Sequence, residues 1–325
     1  MGFLWSQLFV TLPYPTGSYT GQTIIITGGN AGLGKEAARH YARLGAAKII
    51  LAVRSIGKGL SAKEDIETTT KCASGTIDVW QLDMASYASV KAFAARVTSD
   101  LDRVDIFHAN AGVARMHYHR AEQDEESITV NVVSTFLLLS LVLPKLKATA
   151  AEFQTRPTFA ITSSGAHLHT QFPQQHAAEG EIFNTVSSPE NFKTNLRDQY
   201  PISKLFEIYA VRAISERAPA DQFPVTINCF TPGLCYSELD RDGPTLTFKI
   251  MKFFLARSTE AGSRTLLDAG AKGVESHGTY IADCQIAEPS TVVTSEAGKT
   301  AQERVWGELV RKLERIEAGC TRNFS

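Results

Sequence analysis

Along most of the chain, short runs that are apolar at nearly every position alternate with longer stretches whose apolar residues recur every three to four positions. The short runs read as strands: Gln22–Thr27, Lys48–Val53, Thr76–Leu82, Val104–Ala109, Pro157–Ser163 and Pro224–Phe230, with His277–Ala282 as a seventh. The longer stretches read as helices over Gly32–Leu44, Ile56–Thr69, Tyr87–Leu101, Ser127–Leu146 (ending near Pro144), Tyr200–Arg217 and Ala301–Glu317. Leu33, Ala37, Tyr41 and Leu44 share one face of the first helix. Strands that are apolar throughout are buried on both faces. Their alternation with helices predicts an α/β fold: a single Rossmann-type doubly wound parallel sheet of about seven strands, flanked by helices and closed by a C-terminal helical extension. No repeat or composition shift divides residues 21–325, which follow an N-terminal extension of residues 1–20. Two connections, about 165–198 and 233–258, are long for a compact domain and read as substrate loops.

Charge and cysteine content narrow the class. Thirty-three basic and 34 acidic residues leave a net charge of -1, which gives no electrostatic footprint for nucleic acid. Five scattered cysteines without a C-x-x-C pair suit reduced thiols, and a cytoplasmic location is expected. The apolar stretch Gly2–Val10 lacks the basic flank of a secretory signal. It is also shorter than the roughly 20 residues that span a bilayer. Packing on the protein is the expectation, with an oligomer contact or a peripheral membrane contact as alternatives.

Between the first strand and first helix lies TGGNAGLG, Thr27–Gly34. Gly28 permits a tight turn, and Gly32 and Gly34 let a pyrophosphate approach the backbone at a helix N-terminus. Thr27, Asn30 and Leu33 belong to the same turn. The end of the second strand carries Arg54, with Lys58 nearby and no carboxylate. A guanidinium there suits a ribose 2′-phosphate, so NADP(H) rather than NAD(H) is the expected cofactor.

The segment YPISK places Tyr200 and Lys204 four residues apart, on one face of a helix. Pro201 belongs in a first turn, so the helix is expected to start beside Tyr200. A free tyrosine has a pKa of about 10, and a neighbouring ammonium lowers it toward the range useful for proton transfer. These motifs together resemble the short-chain dehydrogenase/reductase family over about Gly21–Ala282. TGGNAGLG is similar to its cofactor turn, and LDMAS (Leu82–Ser86) to its adenine segment, with Asp83 on the base. Asn110–Ala111–Gly112 is similar to its N-A-G signature, and TPGLCYS (Thr231–Ser237), with Pro232, Gly233 and Ser237, to its nicotinamide-flanking segment. The resemblance implies a catalytic set of Asn131, Ser164, Tyr200 and Lys204. Tyr200 would be the general acid/base, and Lys204 would lower its pKa and hold the nicotinamide ribose. Ser164, adjoining Ser163, would bind the substrate oxygen, and Asn131 would help hold a relay water. The long interval from Ser164 to Tyr200, together with Arg54, looks like the retinol-dehydrogenase-like branch and the fungal reductases that tailor secondary metabolites.

The implied activity is NADP(H)-dependent interconversion of a ketone or aldehyde and an alcohol, on a bulky apolar small molecule. A silent NADP-binding regulator and a non-redox isomerase or cyclase are the alternatives. His167, Phe172 and Tyr236, and with them Phe248, are candidates for the substrate pocket. Phe248–Leu255 reads as a lid helix or a core-facing one. MHYH (Met116–His119) and HLH (His167–His169) lack the further ligands a metal would need, so no metal is expected. A homo-oligomer is compatible with all of this.

Overall fold

The structure, a computed structural model, describes residues 2–236, 239 and 252–325. Its centre is an eight-stranded sheet of β1 (Thr23–Thr27), β2 (Lys48–Val53), β3 (Ile77–Gln81), β4 (Ile106–Ala109), β5 (Thr158–Thr162), β6 (Thr226–Thr231), β7 (Tyr280–Ala282) and β8 (Gln285–Ala287). The order is β8-β7-β6-β5-β4-β1-β2-β3. Every pairing is parallel except β7 with β8. The expected seven strands are thus joined by an eighth, a short antiparallel edge strand. Its residues are largely exposed, so no apolar run marked it beforehand.

The strand order reverses between β1 and β4, which opens a crevice at their carboxyl ends. All five residues of β1 are buried. Two apolar layers sandwich the sheet. One contains Ile24, Ile26, Ala37, Tyr41, Leu266 and Phe230. The other contains Ile25, Phe107, Phe136, Phe159, Phe206 and Leu309.

The helices that matter here are α1 (Phe3–Phe9), α2 (Gly32–Arg43), α3 (Ile56–Thr70), α4 (Tyr87–Asp100), α5 (Ser134–Phe153), α6 (Leu196–Arg217), α7 (Thr259–Ala271) and α8 (Glu296–Ile316). Helix α5 runs past Pro144, where the sequence suggested an end. A proline removes the N–H that would bond the carbonyl four residues back. That carbonyl, on Ser140, instead accepts from Asn323 Nδ2 at 2.8 Å, so the helix continues at little cost. Helix α6 likewise begins at Leu196, a turn earlier than Pro201 suggested. Ile128–Phe153 is long and apolar enough to cross a bilayer, but 83% of its most apolar window is buried by the surrounding elements.

The connection at 165–198 folds into short helical turns rather than an open loop. Helix α8 clamps it. Glu308 accepts from the backbone N–H groups of Ile182 (3.0 Å) and Phe183 (2.9 Å), and Arg304 donates to Ala178 O at 3.0 Å. The second long connection lies mostly outside the described residues, and so do Ser237 and Phe248.

Candidate active site

The turn after β1 has the backbone that the glycines implied. Gly28 and Gly32 have φ of 69° and 54°. A Cβ on Gly34 would lie 2.7 Å from Asn110 Nδ2 and 2.8 Å from Gly28 O, so only glycine fits there. Helix α2 starts at Gly32 with no side-chain cap and no acidic residue in its first turn. Its first N–H groups therefore face the crevice without a competing anion, which suits a phosphate. Asn30 and Leu33 sit half-buried around this turn. Arg54 is exposed at the end of β2, and its carbonyl accepts from Gln81 Nε2 at 2.8 Å. Lys58 lies one turn into α3, capped by Ser55. Asp83 holds its own turn, its Oδ1 accepting from Ala85 N at 3.0 Å.

Threonines at three strand ends staple the loops that border the crevice. Thr27 Oγ1 accepts from the N–H groups of Asn110 (2.9 Å) and Ala111 (2.8 Å). Asn110 Nδ2 returns a bond to Thr27 O at 2.9 Å, and Thr162 Oγ1 reaches Asn110 Oδ1 at 3.5 Å. Thr231 Oγ1 accepts from Gly165 N (3.1 Å) and Gly233 N (3.2 Å), joining the serine turn to the Pro232–Gly233 segment.

Asn131, Ser164, Tyr200 and Lys204 converge beside the end of β5. Asn131 lies on a π-helical turn, Ile128–Val133, and is buried. Its Oδ1 accepts from Val113 N at 2.9 Å, and its Nδ2 donates to Val113 O (3.0 Å) and Ser203 Oγ (2.9 Å). The asparagine thus binds the loop after β4 to the Tyr200–Lys204 turn of α6. A Cβ on Gly112 would stand 3.3 Å from Asn131 Oδ1 and 3.7 Å from Lys204 Nζ. Lys204 is buried, and its Nζ lies 5.6 Å from the Tyr200 ring centre and donates to Thr162 O at 2.9 Å. Of the adjoining serines, Ser163 is buried and turned away, its Oγ donating to Lys204 O at 3.2 Å. Ser164 is partly exposed and caps the next turn, accepting from Ala166 N at 3.1 Å.

Comparisons with known proteins identify the family. A model of the short chain dehydrogenase family covers residues 22–244. The chain belongs to the short-chain dehydrogenase family. Accordingly it is an oxidoreductase by family. It is 63% identical over 324 residues, all of both chains, to short chain dehydrogenase/reductase dmxR8 of Cryptosporiopsis sp. (strain 8999). It is 42% identical over 287 residues to short chain dehydrogenase atnD of Emericella nidulans, covering 86% of this chain and 89% of that one. Among solved structures, it superposes on a 7α-hydroxysteroid dehydrogenase complexed with NADH and 7-oxo glycochenodeoxycholic acid. The TM-score is 0.60 and the identity 19%, over 82% of this chain and 93% of that one. The RhlG/NADP complex of Pseudomonas aeruginosa gives a TM-score of 0.60 and 19% identity, over 83% and 97%.

Two substrate expectations need correction in this short-chain dehydrogenase. His167 is fully buried, and both ring nitrogens are engaged: Nδ1 lies 2.8 Å from Ser164 O, and Nε2 accepts from Ser290 N at 3.1 Å. Phe172 is equally buried, with its ring against Phe206 and Tyr209. Both hold the 165–198 insertion onto the core instead of lining a pocket. Their proximity to Ser164 in sequence misled because the chain turns inward there. Tyr236 stays substantially exposed beside the Pro232–Gly233 segment.

One residue that sequence reasoning passed over stands beside the Tyr200–Lys204 pair. Glu207 is buried, and its Oε1 accepts from Lys204 Nζ at 2.7 Å. Its Oε2 has no hydrogen-bond partner. Tyr200, Lys204 and Glu207 therefore form an i, i+4, i+7 row on α6, and that spacing was the available signal. Burial lowers the proton affinity of Lys204, but Glu207 and then Tyr200 offset it, so the ammonium is held above its ordinary value. Burial pushes the Glu207 carboxyl up to about 7 despite the lysine. Among the described residues, no cluster of three His, Cys, Asp or Glu side chains could hold a metal.

Proposed function

We propose that the protein is an NADP(H)-dependent ketoreductase that interconverts a ketone or aldehyde and an alcohol, with a bulky apolar secondary metabolite as substrate. The observation that carries this reading is the tying of Asn131 and Lys204 to the Tyr200 turn and the end of β5, two residues before Ser164, while the loop after β4 that Asn131 holds is also bonded to the glycine turn through Thr27. A bound nicotinamide would supply or accept the hydride. Thr27, Gly28, Asn30, Gly32, Leu33, Gly34, Asp83, Asn110, Ala111, Gly112, Pro232 and Gly233 would hold the dinucleotide, and Arg54 and Lys58 its 2′-phosphate.

In reduction Tyr200 gives its phenolic proton to the substrate oxygen, and in oxidation it takes the proton back. The Lys204 ammonium favours the phenolate that this leaves. Ser164 donates to the same substrate oxygen and stabilises its developing charge. Asn131 fixes the loop and helix between which a relay water would sit. A silent NADP-binding protein could use Lys204 to hold the ribose, but it need not keep Asn131, Ser164, Tyr200 and Lys204 together.

Tyr200→Phe should lower kcat by roughly 10²–10⁴ on a bulky aromatic ketone, followed by NADPH absorbance, with NADPH binding unchanged. Retained turnover would remove Tyr200 from proton transfer. Arg54→Ala should weaken NADPH binding by about 10–100-fold, the loss of a charge-assisted phosphate contact, and leave NADH binding unaltered. Equal loss for both nucleotides would overturn the NADP(H) assignment.

A further inference from the structure

Helix α1 is folded inside out. Its polar residues face the protein: Gln7 Nε2 donates to Leu234 O and Leu255 O, both at 2.9 Å, and Gln7 Oε1 accepts from Leu234 N at 3.1 Å. Arg257 Nη2 donates to Ser6 O at 2.7 Å. Its apolar residues Phe3, Leu4, Trp5 and Leu8 are 47–57% exposed, and Phe9 is 65% exposed. A surface helix of a water-soluble protein does the reverse. Beside it, on the turn that leads to Leu255, Phe253 and Phe254 are 74% and 70% exposed. These two and Phe9 are the three most exposed large apolar side chains among the described residues. Within each element the rings pair, with centroids 4.8 Å apart for Trp5 and Phe9 and 5.1 Å for Phe253 and Phe254.

We propose that this patch is a membrane-docking surface that seats the protein on a lipid bilayer, with α1 lying in the interface. Three features favour a bilayer over a protein partner. Seven side chains on two short elements fall well below the roughly 20–30 residues per side of a stable protein interface. No charged residue occurs from Gly2 to Gly34, so the helix offers none of the charge pairs that fix register between proteins. Tryptophan and phenylalanine on an apolar face suit the depth just below the headgroups, where burial needs no directional partner. The patch is also continuous with the segment beside the nicotinamide-flanking glycine: a Cβ on Gly233 would collide with Gln7 Oε1. An apolar substrate dissolved in the bilayer would thus arrive at the substrate end of the crevice.

The chain has three tryptophans, and Trp80 and Trp306 are buried, so Trp5 is the one that reports on this surface. Adding neutral phosphatidylcholine vesicles should shift tryptophan emission to the blue and carry the protein down with sedimented vesicles, with little dependence on salt. The double variant F9S/F254S, whose side chains are exposed and should leave the melting temperature unchanged, should lower partitioning at least tenfold. No blue shift and no co-sedimentation of the wild type would overturn the proposal. So would a concentration-dependent dimer that the same variant dissolves while vesicle binding is absent, because a second copy would then cover the patch. The measurement uses no substrate or cofactor, so it stands or falls separately from the redox reading.

Discussion

The two halves of the crevice rim are built by different means. The half proposed for the nucleotide uses main chain, glycine and one threonine: Thr27 and Gly28–Gly34 form a single turn, tied to Asn110 and Ala111 and, through Gly28 N and Thr27 Oγ1, to the carbonyls of Ala52 and His108 on the neighbouring strands. The other half, which the proposed function gives to the substrate, is assembled from side chains distant in sequence. Glu308 holds Ile182 and Phe183 from more than 120 residues away, Lys312 reaches Asp124 at 2.9 Å, and Gln7 ties Leu234 to Leu255 across more than 220. A binding surface made of backbone is intolerant of substitution where a Cβ would collide, as at Gly34.

The largest effect is therefore expected in the nucleotide half. Gly34→Val would drive its Cβ into Asn110 Nδ2 and Gly28 O, both under 3 Å away. Overpacking of this kind costs about 1–3 kcal/mol or more. It would also displace the asparagine that joins β1 to β4. The expected result is loss of measurable NADPH binding by calorimetry and a melting point several degrees lower. Gly32→Ala is the control: open space surrounds it, and only its φ of 54° is strained. A penalty of about 1 kcal/mol is expected there, with binding weakened but present. If Gly34→Val bound NADPH like the wild type, the contrast between the halves would collapse.

The same contrast explains what was legible in the sequence. The strands β1 to β6, the glycine turn and the Tyr200–Lys204 spacing were readable because each is a local pattern: an apolar run, a positive φ, one helical turn. Pro144 misplaced a helix end because local propensity says nothing of Asn323, which satisfies Ser140 from the far end of the chain, and Pro201 misplaced a start because it lies inside α6, which begins at Leu196. His167 and Phe172 misled for a related reason, since adjacency to Ser164 does not reveal that the chain turns into the core. The polarity of α1 was the least legible of all. An apolar stretch is expected to bury its apolar face, and here Gln7 and Ser6 took the inner face.

Glu207 belongs to neither half, and its removal should show in pH dependence rather than in binding. Its carboxyl is lifted by burial from an ordinary 4.5 to about 7. A raised folded-state value means the folded protein holds the proton more tightly. That contribution to stability is therefore complete below about pH 4.5 and lost as pH rises through 7. The wild type should lose about 2–3 kcal/mol relative to Glu207→Gln across that window, visible as converging or crossing melting curves. The variant should also move the alkaline limb of activity to lower pH, because Lys204 loses the charge that opposes its burial. Parallel melting curves together with an unmoved limb would reduce Glu207 to plain packing.

The smallest effect is expected at the strap, and it is the one that best separates the halves. Gln7→Ala removes three hydrogen bonds that fix Leu234 and Leu255, each worth about 1 kcal/mol net, from a surface element whose release leaves the sheet intact. Global melting should move little. Amide exchange at Leu234 should quicken about tenfold, because opening there no longer breaks a partnered bond. If the second long connection borders the substrate, as proposed, substrate KM should rise a few-fold, since Leu234 and Leu255 stand at its two ends, while NADPH affinity should stay within error because Gln7 makes no hydrogen bond to the glycine turn. If NADPH affinity fell in step with KM, the strap would be coupled through Gly233 to the nicotinamide side, and the two halves would have to be treated as one cooperative unit.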